Sequence, residues 1–521
     1  MERPDILFIV LDTQRADRLG CYGNPRALTP NLDRLAADGA LFRQGVAPAQ
    51  WTIPSHAAMF TGLYPTAHQV AQSNQSLSPD MAHMAELVRD AGYETVGFCN
   101  NPLVGVLDNG FRRGFETFYN YGGAIPNVPE RPSRWPKLVQ VWLAFLYHLL
   151  LRLSYPIQGF FGRSDLAFRL SLNAWLTPIW ARFAKFKGQN ERSVADVCHL
   201  LETRERVAPE RPLFLFLNLM ETHLPFWPPS AFIDQTAPYL RQDKAAQAIH
   251  HRWNREAYRW AAPLAEPLAP LEKQVLHDLY DAETAYQDAY LKPLFDLLGR
   301  RQRAENTLTI IVADHGDGLG EHGYMGHAFV AHAELVHVPL LLHWPRRIAP
   351  ASQVTEAVST RRVYHTILAA AEAAAPISAE IQGDPATLTL LHEIDGRQPE
   401  QATAFSEIYP PLNFVKAIER RQPALLTHYR CTSLRRAIVR DGWKLIQVAE
   451  QADALFDLAA DPLESHNVMQ LFSAETHALN THLDHFTSLV HAQRDSLTSG
   501  APVELQDDTL LRQLRGLGYV E

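Results

Sequence analysis

The run ILFIVL at residues 6–11 is apolar without a break and ends in an acid, Asp12. A strand with one wet face alternates apolar and polar residues, so an unbroken run predicts a strand buried on both faces. Comparable runs recur at ETVGFC (94–99), PLFLFLNL (212–219), TLTIIVAD (307–314) and VPLLLHW (338–344). Helical patterns lie between them. In TPNLDRLAADG (29–39), Thr29 and Pro30 open a helix, Leu32, Leu35 and Ala36 form its apolar face, and Gly39 stops it. A second helical stretch covers 274–299. Strands alternating with helices predict an α/β fold, a mostly parallel sheet covered on both faces.

The pattern changes near residue 375. AAAPISAEIQGDPA reads as a linker, placed at 376–400, and SLRRAIVRDGWKLIQV (433–448) reads as a hairpin turning at Asp441-Gly442. The expected organisation is a main domain over 1–375 and a smaller C-terminal α+β domain over 401–521. A length of 521 residues is consistent with two or three domains. With 46% hydrophobic and 20% charged residues the chain is ordinary globular protein, and a net charge of -9 speaks against a general nucleic-acid binder. The four cysteines are far apart in sequence and read as free thiols. The opening MERPDILFIVLD is too short in its apolar part for a signal peptide, which leads to a cytoplasmic expectation.

A segment at about 124–190 stands apart as an insert in the main domain. Residues 131–187 hold nine Lys or Arg against one acid, Asp165, and four of the ten tryptophans. Its uncharged core, LVQVWLAFLYHLLL (138–151), is too short to span a bilayer. A basic, Trp-rich pair of helices suits peripheral membrane contact or a lipid-like substrate; packing on the main domain is the plain alternative.

In an open α/β sheet, chemistry gathers at the carboxyl ends of the strands. Two strands here end in acids, Asp12 and Asp314, and the second is followed by His315 and by Gly316, which lets backbone come close. Such acids cap helices in many proteins, but two of them with an adjacent imidazole form a ligand set for a divalent ion. WTIPSHAAMFTG (51–62) places Thr52 before a helix opened by Pro54. Thr52 either caps that helix or acts as a nucleophile. A bound cation and the positive end of the helix would together activate its hydroxyl toward a tetrahedral oxyanion ester.

Several ordered stretches carry a family resemblance. ILFIVLDTQRADRLGCYGNP, LTPNLDRLAADGALF, WTIPSHAAMFTGLYPTAH, FLFLNLMETHLPFWPP, ADHGDGLGEHGYMGH, HVPLLLHWP and LRGLGYVE resemble the sulfatase family of the alkaline phosphatase superfamily. The resemblance implies an alkaline phosphatase-like fold, with a large mixed sheet between helices and a smaller C-terminal sheet. It maps metal ligands onto Asp12, Asp314 and His315, the nucleophile and a further ligand onto Thr52, and a substrate-binding, catalytic histidine onto His223. His327 falls where relatives direct a Lys or His at the substrate. His56, Arg15 and Asn101 (or its neighbour Asn100) are expected at the substrate, with Arg15 either holding an oxygen or pairing with Asp314. His332 and His337 are weaker candidates.

Two departures matter. Sulfatases carry Cys or Ser followed by x-Pro-x-Arg, which is converted to formylglycine; here the stretch reads Thr52-Ile53-Pro54-Ser55-His56, so no formylglycine is expected. Thr13 stands where a second Asp would sit, which leaves a ligand set suited to one ion, zinc, manganese or calcium. This resembles the phosphoethanolamine and phosphoglycerol transferases of the same superfamily. A second ion on Glu221 and His223 is the poorer fit. A threonine ester cannot collapse to an aldehyde and must be displaced, which favours a phosphate or phosphonate ester, mono- or diester, small or lipid-like, as substrate. The alternatives are a sulfuric ester hydrolase working without formylglycine, and a non-catalytic, membrane-associated binding protein.

Overall fold

The computed structural model describes residues 2–122, 126–129, 187–207, 210–255, 262–374 and 379–503. Most of the Trp-rich segment 131–187, and the closing LRGLGYVE, lie outside them. The main sheet has eight strands: β1 Asp5–Leu11, β2 Ala40–Val46, β3 Glu94–Cys99, β4 Thr117–Asn120, β5 Leu213–Leu219, β6 Thr307–Val312, β9 Leu340–His343 and β10 Ser352–Ser359. Two short strands, β7 Gly318–Leu319 and β8 Met325–Gly326, pair with each other in the loop after β6. The order across the main sheet is β10-β2-β9-β6-β1-β5-β3-β4. Every pairing is parallel except the two made by β9.

The unbroken apolar runs are explained by this arrangement. Along β1, Ile6, Phe8 and Val10 join the core on one face of the sheet, while Leu7, Ile9 and Leu11 join the core on the other. β5 divides in the same way, with Phe214 and Phe216 on the first side and Leu213, Leu215, Leu217 and Leu219 on the second. Each such side chain contributes roughly 1.5–3 kcal/mol of burial, so a polar residue without a partner anywhere in residues 6–11 would be strongly disfavoured. The expected helices form at Pro30–Ala37 and Pro270–Arg300.

The C-terminal part is a four-stranded antiparallel sheet, β11 Thr403–Ile408, β12 Arg435–Arg440, β13 Trp443–Val448 and β14 Gln451–Asp457. The β12–β13 turn falls at Asp441 and Gly442, both with positive φ (52° and 79°), as a two-residue hairpin requires. The Ser473–Asp495 helix covers this sheet with Leu479, Leu483, Phe486 and Val490, spaced as one helical face. The stretch read as a linker holds three short helices, Ala379–Gln382, Pro385–Leu388 and Leu391–Ile394. The second and third are tied to the main domain by Arg362, whose guanidinium donates to Glu393 and to the carbonyls of Leu388 and Thr389.

Candidate metal centre and active site

β6, β1, β5 and β3 are parallel neighbours, so their carboxyl ends open on one edge of the sheet. Asp12 follows β1, Asp314 and His315 follow β6, His223 follows β5 and Asn101 follows β3. Register places Val10 of β1 opposite Val312 of β6, which brings the two acids together across some three hundred residues of sequence. Gly316 makes the turn possible: a β-carbon there would lie 2.0 Å from the carbonyl oxygen of Glu334.

One ligand atom each from Asp12, Asp314 and His315 falls within 4.8 Å of the others, and all three residues are buried. His315 Nε2 is 3.8 Å from Asp12 Oδ1 and 3.5 Å from Asp314 Oδ2. Asp12 Oδ1 and Asp314 Oδ2 are buried and lack hydrogen-bond partners. Among the described residues no Lys or Arg pairs with either acid. Burial and then Asp314 push the Asp12 carboxyl well up; in Asp314 burial acts the same way, but His315 and His56 outweigh it and hold that carboxyl low. The imidazole of His315 is pulled down to about 4, mainly by burial, and its Nδ1 lies 2.8 Å from the Gly316 carbonyl. That contact fixes Nδ1 as the protonated nitrogen and leaves Nε2 as a donor atom. Two partnerless buried carboxylate oxygens beside an imidazole lone pair fit a divalent cation.

Thr52 does not cap its helix. The helix runs Thr52–Thr61, its N-cap is Trp51, and no side chain makes a capping bond. Thr52 Oγ1 instead lies 3.5 Å from His315 Nε2 and accepts a 3.3 Å bond from Asn101 Nδ2. Asn101 also donates to Asp12 Oδ2 at 2.6 Å, so one amide holds the hydroxyl and a carboxylate together. Asn100 is turned elsewhere, donating to Ser193 Oγ and to the Asn218 carbonyl. His56 is fully buried, with Nδ1 at 3.0 Å from the Thr52 carbonyl and 3.4 Å from Asp314 Oδ2, and Nε2 at 3.4 Å from Asn218.

His223 and His327 lie beside the centre. The His327 ring is 4.7 Å from that of His315 and 5.2 Å from that of His223. His223 is pulled down to about 3 by burial and by His327. Asp317, which the sequence reading missed, holds His327: its Oδ1 is 3.0 Å from Nδ1, while Nε2 is buried with no hydrogen-bond partner. The available signal was an acid ten residues before the histidine, in a Gly-rich stretch that already supplied two ligands.

Other candidates are placed differently. Arg15 does not pair with Asp314; its guanidinium binds Asp17, Glu321 and the Asp317 carbonyl. The Thr13 hydroxyl donates to the Asp12 carbonyl at 2.6 Å and lies 3.2 Å from Thr222 Oγ1. Glu221 accepts from Asn190 and lies near Lys187, so it does not form a second cluster with His223. His332 pairs with Glu464, and His337 with the Arg43 carbonyl.

A family model described as Sulfatase matches residues 4–373, and one described as N-sulphoglucosamine sulphohydrolase, C-terminal, matches residues 320–488. The chain belongs to the sulfatase family. As a sulfatase-family protein it is an ester hydrolase, of a family whose enzymes generally use a divalent metal ion. The uncharacterized sulfatase YidJ of Escherichia coli (strain K12) is 24% identical over 482 residues, 90% of this chain and 84% of the relative. Human arylsulfatase A is 24% identical over 534 residues, 96% and 90% of the two chains. In fold, this sulfatase-family chain matches the phosphonate monoester hydrolase SpPMH from Silicibacter pomeroyi with a TM-score of 0.63, at 19% identity and over 97% and 100% of the chains. No helix among the described residues is long and apolar enough to cross a membrane.

Proposed function

We propose that this sulfatase-family enzyme cleaves phosphate or phosphonate esters through Thr52. The observation behind the proposal is that the Thr52 hydroxyl caps nothing and is held by Asn101 beside Asp12, Asp314 and His315. Asp12, Asp314, His315 and Thr52 would hold one divalent ion, with zinc or manganese suited to this oxygen and nitrogen donor set. When bound, that ion supplies Lewis acidity and lowers the pKa of a coordinated hydroxyl.

The chain supplies the rest. Asn101 orients Oγ1, and the first turn of the Thr52–Thr61 helix directs its positive end at the anionic ester. His56 steadies the Thr52 carbonyl and Asp314 from behind, a positioning role in place of substrate contact. Oγ1, its proton released to solvent before the cycle begins, attacks phosphorus, the bond to the leaving oxygen breaks, and that oxygen takes a proton from His327, which Asp317 keeps aligned. His223 would bind a further ester oxygen. Water or an alcohol then attacks the threonyl ester, the phosphorus–Oγ1 bond breaks, and the incoming proton returns to His327. An alcohol acceptor makes the reaction a transfer.

A sulfuric ester is the second reading, favoured by both family models. Rates on matched aryl phosphate, aryl phosphonate and aryl sulfate esters decide between the two. Thr52→Ala should lose turnover by about 10³-fold or more, with metal content by elemental analysis undiminished, and the phosphoryl group should appear on Thr52 in the wild type by high-resolution mass spectrometry. A fully active Thr52→Ala enzyme would overturn the mechanism.

A further inference from the structure

The loop that carries His327 has a second face, turned to the C-terminal sheet, and a cavity of about 170 Å³ lies between them. Tyr324, Val330 and His332 line it from the loop, and Tyr429, Arg430 and Arg435 from the C-terminal side. Arg435, the first residue of β12, is only 5% exposed. Its guanidinium donates to the Tyr429 carbonyl, to Tyr324 Oη at 3.4 Å and to the Ser433 carbonyl at 3.4 Å. All three acceptors are neutral, and no carboxylate among the described residues forms an ion pair with Arg435.

Acids near the cavity are already engaged. Asp453 pairs with Arg430 at 2.5 Å, and Glu464 pairs with His332 and with Lys444. The buried guanidiniums of Arg362 and Arg436 each meet a glutamate, Glu393 and Glu407. Arg435 is therefore a buried cation with no carboxylate in ion-pair contact, Asp453 in the cavity lining acting on it only at longer range, a costly arrangement that an anion would relieve. Burial drives its pKa down, with Arg430 adding to the fall, by more than Tyr324, Cys431 and Asp453 raise it.

We propose that this cavity is a binding site for a small oxyanion, separate from the metal centre, in which Arg435 supplies the charge. A planar guanidinium suits both carboxylate and tetrahedral oxyanions. Because Tyr324 and His332 belong to the loop that holds His327, occupation would also brace that loop.

Crystals of the metal-loaded full-length protein soaked in sodium selenate test this directly. The expected result is an anomalous selenium peak inside the cavity within hydrogen-bonding distance of Arg435, in addition to any peak at the metal centre. In solution, selenate and acetate are compared in thermal melts of the wild type, Arg435→Gln and Arg435→Lys, each at constant ionic strength set with a non-coordinating salt. A rise in Tm with either anion that vanishes in Arg435→Gln and partly survives in Arg435→Lys supports the site and tells a tetrahedral ligand from a carboxylate. A cavity with no selenium peak, or equal rises in the wild type and Arg435→Gln, would overturn it. Should Arg435→Gln not fold, the soak of the wild type alone decides.

Discussion

Asp317 and His327 show how much a buried pair contributes at the scale of single atoms. In the proposed mechanism the carboxylate fixes the proton on Nδ1 and so sets what Nε2 can do toward a leaving oxygen. Asp317→Asn keeps the volume and removes that control. It should lower kcat/KM by about 10²-fold with metal content unchanged. The loss should be greater for an alkyl ester, whose leaving oxygen needs the proton, than for a nitrophenyl ester, which does not. An equal loss on both substrates would assign Asp317 to structure alone. Asp12, Asp314, His315 and Thr52 were legible in the sequence because strand ends and a helix start confine where such side chains can go. Asp317 was not, since its only signal, an acid in the Gly-rich stretch ten residues before His327, does not by itself distinguish an acid that serves a histidine from one that faces water. Arg15 misled for a related reason: its partners Asp17 and Glu321 compete for it, and only three-dimensional distance shows that they win.

Among the elements, the helix Thr52–Thr61 must end sharply to keep its first turn in place. Gly62 stops it in the left-handed region, φ +75°, with Tyr364 and His365 close against it. A β-carbon at this position would lie 2.7 Å from Tyr364 Cδ1 and 2.9 Å from His365 Cε1. Gly62→Ala should therefore cost about 2–4 kcal/mol from backbone strain and overpacking together, read as a lower denaturant midpoint at unchanged m. Elements differ in how plainly the sequence announces them. β1, β5 and β6 stood out because both faces are buried and most positions are apolar, with Asp5, Asn218, Thr307 and Thr309 the exceptions. β2, with Arg43 and Gln44 half-buried, and β10, with Glu356 and exposed Thr355, lie toward one edge and mix polar with apolar residues, so no period emerges. The short helices at 379–394 were hidden because Pro and Gly punctuate them, and the packing of the last two involves Arg362 from elsewhere in the chain.

At the scale of the molecule, the seam between the two sheets combines shared apolar packing with a buried charged cluster. His322 and His332 stack with ring centroids 3.7 Å apart; His322 faces Glu334 and the Glu464 backbone, and Glu464 is shared by His332 and Lys444. Burial opposes a charge on His322, but Glu334 and Glu464 outweigh it and push its pKa from 6.5 up to about 9. The stabilisation this adds is complete below pH 6.5 and lost as pH rises through about 9. Glu464 behaves oppositely: burial again opposes the charge, Lys444 and His332 prevail, and its contribution is present above pH 4.5 and lost as pH falls through about 2. His322→Gln should thus destabilise by on the order of 2–3 kcal/mol near pH 6 and by little above pH 9.5 or so, in chemical unfolding at each pH. A difference independent of pH would refute the charged pairing.

The position of β1 at the middle of the main sheet has a consequence for synthesis. Its partners are β5 and β6, and the hydrogen bond from the Thr13 amide to Asp314 spans 301 residues. While the ribosome is still making the chain, β1 has neither neighbour, and Asp12 waits without the rest of its cluster. Such long-range pairing forms late and slowly. A nascent fragment ending before β6 lacks Asp314 and His315, so the cluster cannot assemble until well over half of the polypeptide has been made.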